Sequence, residues 1–411
     1  MKNIAIIHYT APPIVAGVEL VIKDQTTLMA ENNYNVKIIA GKGKKFNPNI
    51  EVKIIPEIDP RNKDYLKMRK IFDQGQVPDK LDKYTNQIYR KLESNLKKID
   101  VLIIHQALTM HFNFALTLAL IKFIKNHNKI KIIHWTHDAT FLDQNYLKLY
   151  SAFKNKFPWN LLIRPIPQIK YVSISEDRRN KIAKLFNINP SKIEIVENSL
   201  FISNFWQLSP QIKSLISELN LFEKDLVALL PMRIVRRKNI GQAIEISNEL
   251  RKKLDFILLV TAPIDYQNPD AAAYFENLKK QIKKLKLDSN IIFLSQYILK
   301  NDKKFDIINL NLKELFIISD FLFVASKLEG FGMPLIEAAA MKTPIVCSKI
   351  PPFLKITDNN ACLFDFEEPA RKTAQKIIKF LEKNSSARLY RKVLKKYILE
   401  KNFKEKIEPL I

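Results

Sequence analysis

Three groups of side chains have the types and spacing that chemistry needs. Residues 326–347 read Ser-Lys-Leu-Glu-Gly-Phe-Gly-Met-Pro-Leu-Ile-Glu-Ala-Ala-Ala-Met-Lys-Thr-Pro-Ile-Val-Cys. Glu329 and Glu337 bracket a turn built on Gly330 and Gly332, in a chain with only 7 Gly in 411 residues. That is far below the usual share of about 7%, so Gly should stand where the backbone takes φ > 0 or a ligand approaches closely. Pro334 suits the first position of a helix, expected over 334–341. The free N–H groups at such a terminus form an anion site. A carboxylate would repel a phosphate but accepts hydrogen bonds from paired hydroxyls, as on a sugar or a ribose. Glu337 could equally serve as a helix-dipole partner in the first turn. The second group is Arg233 and Lys238, five residues apart. Two cations converging beyond a strand end, near a helix N-terminus, make a diphosphate clamp; Arg236 and Arg237 between them read as solvent-facing. The third is His134-Trp-Thr-His137-Asp138, where a His-Asp pair beyond a strand can orient and polarise an imidazole. His134 reads as structural, and His8 and His105, also at strand ends, are weaker candidates.

The elements that must position these groups are legible as apolar runs. Strands are expected at 4–8, 36–40, 52–55, 101–104, 130–133 and 171–175 in the first half, and at 226–233, 256–260, 291–294 and 321–325 in the second. They alternate with helical patterns, including 18–32, 112–125, 240–254 and 312–318. Such alternation is the mark of a doubly wound α/β sheet. Ligands in such sheets bind beyond the carboxyl ends of the strands, which places the loop carrying Gly17 well, although Gly17 could also be a plain turn residue. Ser175 reads as a helix N-cap. Residues 59–98 are polar, helical and highly charged, consistent with a solvated face.

The string from Glu329 to Pro344 closely resembles the donor-site signature of the group 1 retaining glycosyltransferases, Glu-Gly-Phe-Gly-x-Pro-x-x-Glu-Ala-x-Ala-x-Gly-x-Pro. It departs only at Lys342, where Gly is usual. The resemblance covers essentially the whole chain and implies the GT-B fold: two Rossmann-like, doubly wound parallel-sheet domains facing a central cleft. The limits expected are 1–200 for the acceptor-side domain, 201–385 for the nucleotide-sugar domain, and 386–411 for a helix returning to the first. The implied activity is retaining transfer of a hexose from a nucleotide-sugar donor (GDP- or UDP-sugar) to an unidentified acceptor, such as a glycan, a glycolipid or a phosphorylated small molecule. By the same resemblance, His137 meets the transferred sugar, and Arg233 and Lys238 hold the leaving diphosphate. Glu329 holds sugar hydroxyls and Glu337 the ribose. Gly17, Gly330, Phe331, Gly332, Met333, Pro334, Leu335 and Ile336 line the donor site. Family members usually continue Asn-Gly-Val-Asp after the last strand of the first domain. Here the residues are Asn198-Ser-Leu-Phe201, so Asn198 alone carries over. The family is thought to react on one face of the sugar, with donor phosphate helping to deprotonate the acceptor.

Composition bounds the rest. No cofactor is expected, and no essential metal, because the chain contains no Asp-x-Asp pair. Cys347 and Cys362 are the only Cys residues and cannot build a disulfide framework or a zinc site alone. No run of about 20 apolar residues appears, and the N-terminus reads as a strand rather than a signal peptide, so a cytoplasmic enzyme is expected. The net charge of +25 suits an anionic membrane surface on its inner face, with the lysines of 59–98 as the expected contact. Nucleic acid is not expected as a partner, since the lysines are not interleaved with aromatics. The alternatives are a GT-B epimerase or hydrolase acting on nucleotide sugars, or an inert basic adaptor on membranes or nucleic acid.

Overall fold

The computed structural model describes residues 2–261, 269–297, 299, 305–306 and 311–411. The chain forms two units, one of residues 1–202 with 397–411, the other of residues 203–396.

The first unit is a seven-stranded sheet of β1 (Asn3–Thr10), β2 (Asn35–Lys42), β3 (Ile50–Ile54), β4 (Val101–His105), β5 (Lys131–Thr136), β6 (Lys170–Ser173) and β7 (Ile193–Ile195), in the order β3-β2-β1-β4-β5-β6-β7. Every pairing is parallel. Successive residues of a strand point to opposite faces, and β1 feeds a core on each side. Ala5, Ile7 and Tyr9 join one cluster with Ile104, Phe114 and Trp159, while Ile4 and Ile6 join another with Val36, Ile103 and Trp135. Parallel strands buried on both faces explain why the runs are continuously apolar rather than alternating.

The second unit is a six-stranded parallel sheet of β8 (Leu226–Leu230), β9 (Phe256–Val260), β10 (Ile291–Phe293), β11 (Phe321–Val324), β12 (Ile345–Ser348) and β13 (Cys362–Phe364), ordered β10-β9-β8-β11-β12-β13. In both sheets the order reverses beside the first strand, which places a switch-point crevice at β1/β4 and at β8/β11.

Three expectations shift. The strand expected over 226–233 ends at Leu230, because Pro231 has no N–H for the ladder; Arg233 therefore lies in the loop. The division between units falls at Ile202 rather than residue 200. The tail expected to return from residue 386 is split: helix Ser385–Lys396 stays with the second unit, and only Tyr397–Ile411 belongs to the first. The reason is local. Arg391 of that helix pairs with buried Asp320 of the second unit, whereas Leu399, Phe403, Ile407, Leu410 and Ile411 bury in a core of the first. Among the described residues no helix is long and apolar enough to cross a membrane.

Candidate functional site

In the second unit the loops after β8 and β11 meet. Lys327 N–H donates to Arg237 O at 2.8 Å, and this backbone bond brings the cationic stretch 233–238 against Glu329. The Glu329 carboxylate is nearly enclosed. Its Oε1 pairs with Lys238 Nζ and accepts from Ser326 Oγ at 2.8 Å, and its Oε2 accepts from Arg237 Nη1 at 3.2 Å. Burial acts to raise the Glu329 carboxyl, but the bonds from Lys238 and Ser326 and the nearby Arg237 outweigh it and hold it below the usual carboxylate range. Glu329 is thus an anion held by two cations. Lys238 is itself buried. Arg237, read from sequence as solvent-facing, is a partner of this group; Arg233 is exposed, and its guanidinium has no bond among the described residues.

The helix after the Gly turn runs Met333–Ala340, one residue earlier than expected, with Gly332 as its N-cap. Gly332 has φ +121°, and an added Cβ would lie 2.9 Å from a Phe353 ring atom. Gly332→Ala is therefore expected to destabilise this unit by about 1–3 kcal/mol, read as a lower Tm; a Tm unchanged within error would contradict the strained geometry. Gly330 and, in the first unit, Gly17 differ: a Cβ at either meets nothing within 4 Å and neither has positive φ, so the fold itself makes no demand for Gly there. Glu337 is the fifth helical residue, past the first turn, where the dipole effect has faded; it is half-buried without a side-chain partner among the described residues. Leu335 is wholly buried, so its side chain belongs to the core and only its backbone could meet a ligand. Phe331, Met333 and Ile336 are exposed, and Pro334 is the second helical residue.

In the first unit the carboxyl ends of β1, β4 and β5 bring imidazoles together. His105 Nδ1 lies 2.9 Å from His137 Nε2, and the two rings stack at 5.2 Å. His8 Nδ1 lies 3.1 Å from the His105 carbonyl, which can only accept, so His8 is protonated there. Its Nε2 lies 3.8 Å from Oε1 of buried Glu19, which also accepts from Thr10. His105 Nε2 is buried without a partner. Across this short contact one ring donates and the other accepts. Burial, reinforced by His8, pulls the His137 pKa down to about 3, so its ring is neutral at physiological pH.

The adjacent Asp138 does not orient His137. Its Oδ1 accepts from Arg178 Nη1 at 2.8 Å and from Ala139 N–H at 2.7 Å. His134 sits inside β5, bonded to Thr136 at 3.1 Å, as a structural residue. Glu19, Arg237 and Ser326 were not assigned to the site from sequence, and His105, a weaker candidate there, is the direct partner of His137. Glu19 could have been found by asking which polar residues face the ends of buried strands. Asn198 is exposed just past β7. Among the described residues no group of His, Cys, Asp and Glu could hold a metal.

Two doubly wound units, one carrying a carboxylate clamped by cations beside a helix N-terminus, are the parts of a GT-B glycosyltransferase. Residues 211–398, under half of the chain, match the family described as glycosyl transferases group 1, and together with the relatives that follow this supports a glycosyltransferase enzyme. It is similar to the mannosylglucosylglycerate synthase of Petrotoga mobilis, 24% identical over 377 residues, covering 86% of this chain and 84% of that one. The same-named enzyme of Thermotoga maritima is 23% identical over 365 residues, covering 84% and 80%. The O-antigen chain mannosyltransferase RfbU of Salmonella typhimurium is 25% identical over 256 residues, covering 62% and 61%. A solved glycosyltransferase from Rickettsia africae aligns over 100% of this chain and 97% of its own at 16% identity, with a TM-score of 0.35, too low to carry weight.

Proposed function

We propose that this enzyme is a retaining hexosyltransferase that uses a nucleotide sugar, with mannose favoured by the names of its relatives. The observation that carries the reading is the Lys238–Glu329 pair, seated on Ser326 and four residues before the Met333–Ala340 helix. Arg233, Lys238 and the N–H groups of Gly332 and Met333 would take up the charge that grows on the leaving diphosphate as the glycosidic bond breaks. Glu329, an obligate acceptor, would receive hydroxyls of the donor sugar, and Glu337 those of the ribose. Neutral His137 would offer a hydrogen bond to the sugar rather than a charge. With no side chain in the role of nucleophile, the acceptor hydroxyl would pass its proton to donor phosphate and attack from the face the leaving group vacates. Gly17, Asn198, Gly330, Phe331, Met333, Pro334 and Ile336 complete the donor contacts in this reading. The acceptor would be met at an anionic membrane surface on the cytoplasmic side, and no nucleic acid takes part.

Thermal shift against GDP-mannose, UDP-glucose and the free diphosphates tests the reading, because a ligand at about 100 times its Kd stabilises the native state by about 2.7 kcal/mol. A rise in Tm with at least one nucleotide sugar is expected, and no rise with any GDP-, UDP- or ADP-sugar would overturn it. Turnover with that donor should persist in excess EDTA. Abolition by EDTA with rescue by Mg²⁺ or Mn²⁺ would assign the diphosphate charge to a metal instead.

A further inference from the structure

Between β5 and β6 the chain runs through residues 144–164, which contain Lys148, Lys154, Lys156 and Arg164 and no acidic residue. The segment is pinned from within. Tyr146 and Tyr150 pack their rings 4.5 Å from His111, and Tyr150 OH donates to Asp73 at 2.5 Å. Phe153 lies against Gly75, where any Cβ would clash with its ring at 2.3 Å. Trp159 is wholly buried among Phe72, Phe114 and Phe153. The residues between these anchors turn outward: Leu147 is 40% exposed, Leu149 64% and Phe157 47%. Lys148 and Lys156 are exposed beside them, Arg164 lies at the far end, and Lys154 and Lys156 lie 5.9 and 5.7 Å over the rings of Phe141 and Phe153. The carboxylates beside the segment are engaged, Asp143 as the N-cap of helix Gln144–Tyr150 and Asp73 by Tyr150 OH.

We propose that this face is the membrane-contact surface of the enzyme, seated on a bilayer of anionic lipids. Large apolar side chains held outward on a fixed frame can enter the acyl boundary while adjacent lysines meet the headgroups. Leucine cannot stack on a base, which sets the face apart from an aromatic-and-lysine nucleic-acid surface. The 59–98 region, expected from sequence to make this contact, mixes its lysines with Asp59, Asp64, Asp73, Asp79, Asp82 and Glu93. The inference rests on the membrane contact proposed above. Vesicle binding is read without any transfer assay, so its failure leaves the glycosyltransferase reading intact.

Co-sedimentation with vesicles of phosphatidylcholine alone, or with about 30% phosphatidylglycerol, tests it with the full chain. Binding should require the anionic lipid and weaken with salt. Each lysine removed should cost about fivefold in partitioning, so Lys148→Ala/Lys154→Ala/Lys156→Ala should lose about 100-fold. Leu149→Ser/Phe157→Ser should also bind less at low salt, with Tm unchanged because both residues are exposed. Lys63→Ala/Lys67→Ala/Lys70→Ala, which removes the same charge from exposed positions elsewhere, should bind as the parent does. Equal loss in that control, equal binding to neutral vesicles, or no binding at low salt would overturn the proposal. So would a vesicle affinity insensitive to Leu149→Ser/Phe157→Ser alongside poly(U) binding lost in the 148/154/156 variant, which would mark a polyanion surface.

Discussion

Lys238→Ala is expected to slow glycosyl transfer 100- to 1000-fold, a loss of about 2.7–4 kcal/mol of transition-state stabilisation, on the scale of deleting one preorganised donor at a developing charge. The free nucleoside diphosphate should also bind more weakly. Lys238 is buried and its ammonium is already paired with Glu329, so it reaches the site without reorganising. Glu329→Ala should behave differently. It removes an acceptor for sugar hydroxyls and so should cripple transfer. It also frees Lys238 and Arg237 from their shared carboxylate, so diphosphate affinity should hold or rise. Calorimetry with the diphosphate alone, beside steady-state rates, separates the two. If Glu329→Ala weakens diphosphate binding as much as Lys238→Ala does, with Tm preserved, the division of roles is wrong and the carboxylate serves mainly to hold the lysine in place.

What the sequence carried and what it withheld divide along a physical line. Phe256–Val260 and Leu312–Ile318 lie where their apolar runs place them, because burial on both faces leaves no room for polar interruption. Gly332 was legible as a demanding backbone position, and its φ of +121° is that demand; Ser175 caps its helix through a 3.1 Å bond from Arg178 N–H. Pro231 was a visible signal that β8 stops short of Arg233. The pairings were not legible. Asp138 stands next to His137 in the chain, yet its carboxylate turns to Arg178, while His137 finds His105, which is distant in sequence but adjacent across β4 and β5. Which neighbour a polar side chain selects depends on strand register and loop path, and neither is written in the local pattern. Arg237 is exposed, as expected, but its bond to Glu329 escaped for the same reason: only the 2.8 Å bond from Lys327 N–H to its carbonyl brings the Glu329 loop within its reach.

The same line explains the tail, and there the expected energy is large. Asp320 lies just before β11, almost wholly buried, and accepts both the Val227 N–H at 2.5 Å and a two-pronged pair from Arg391. Arg391 also donates to the carbonyls of Leu221 and Lys224, at 3.1 and 3.3 Å, so one guanidinium ties helix Ser385–Lys396 to the amino edge of the second sheet. Nothing in the helical pattern around residue 391 announces this, since an Arg on a basic amphipathic helix reads as solvated. Arg391→Met should destabilise the second unit by about 3–5 kcal/mol, because it strands a buried carboxylate without its countercharge. Asp320→Asn/Arg391→Met removes the charge from both sides and should recover at least half of that loss, since Asn can still accept from Val227 N–H. With two units in the chain, Tm alone does not say which unit has been destabilised. Hydrogen exchange at peptides spanning β8 and β11 reports on this unit directly. A single variant that protects those amides within about 1 kcal/mol of the parent, or a double variant no better than the single, would show that packing of Tyr390 and Leu394, rather than the ion pair, holds the helix to its unit.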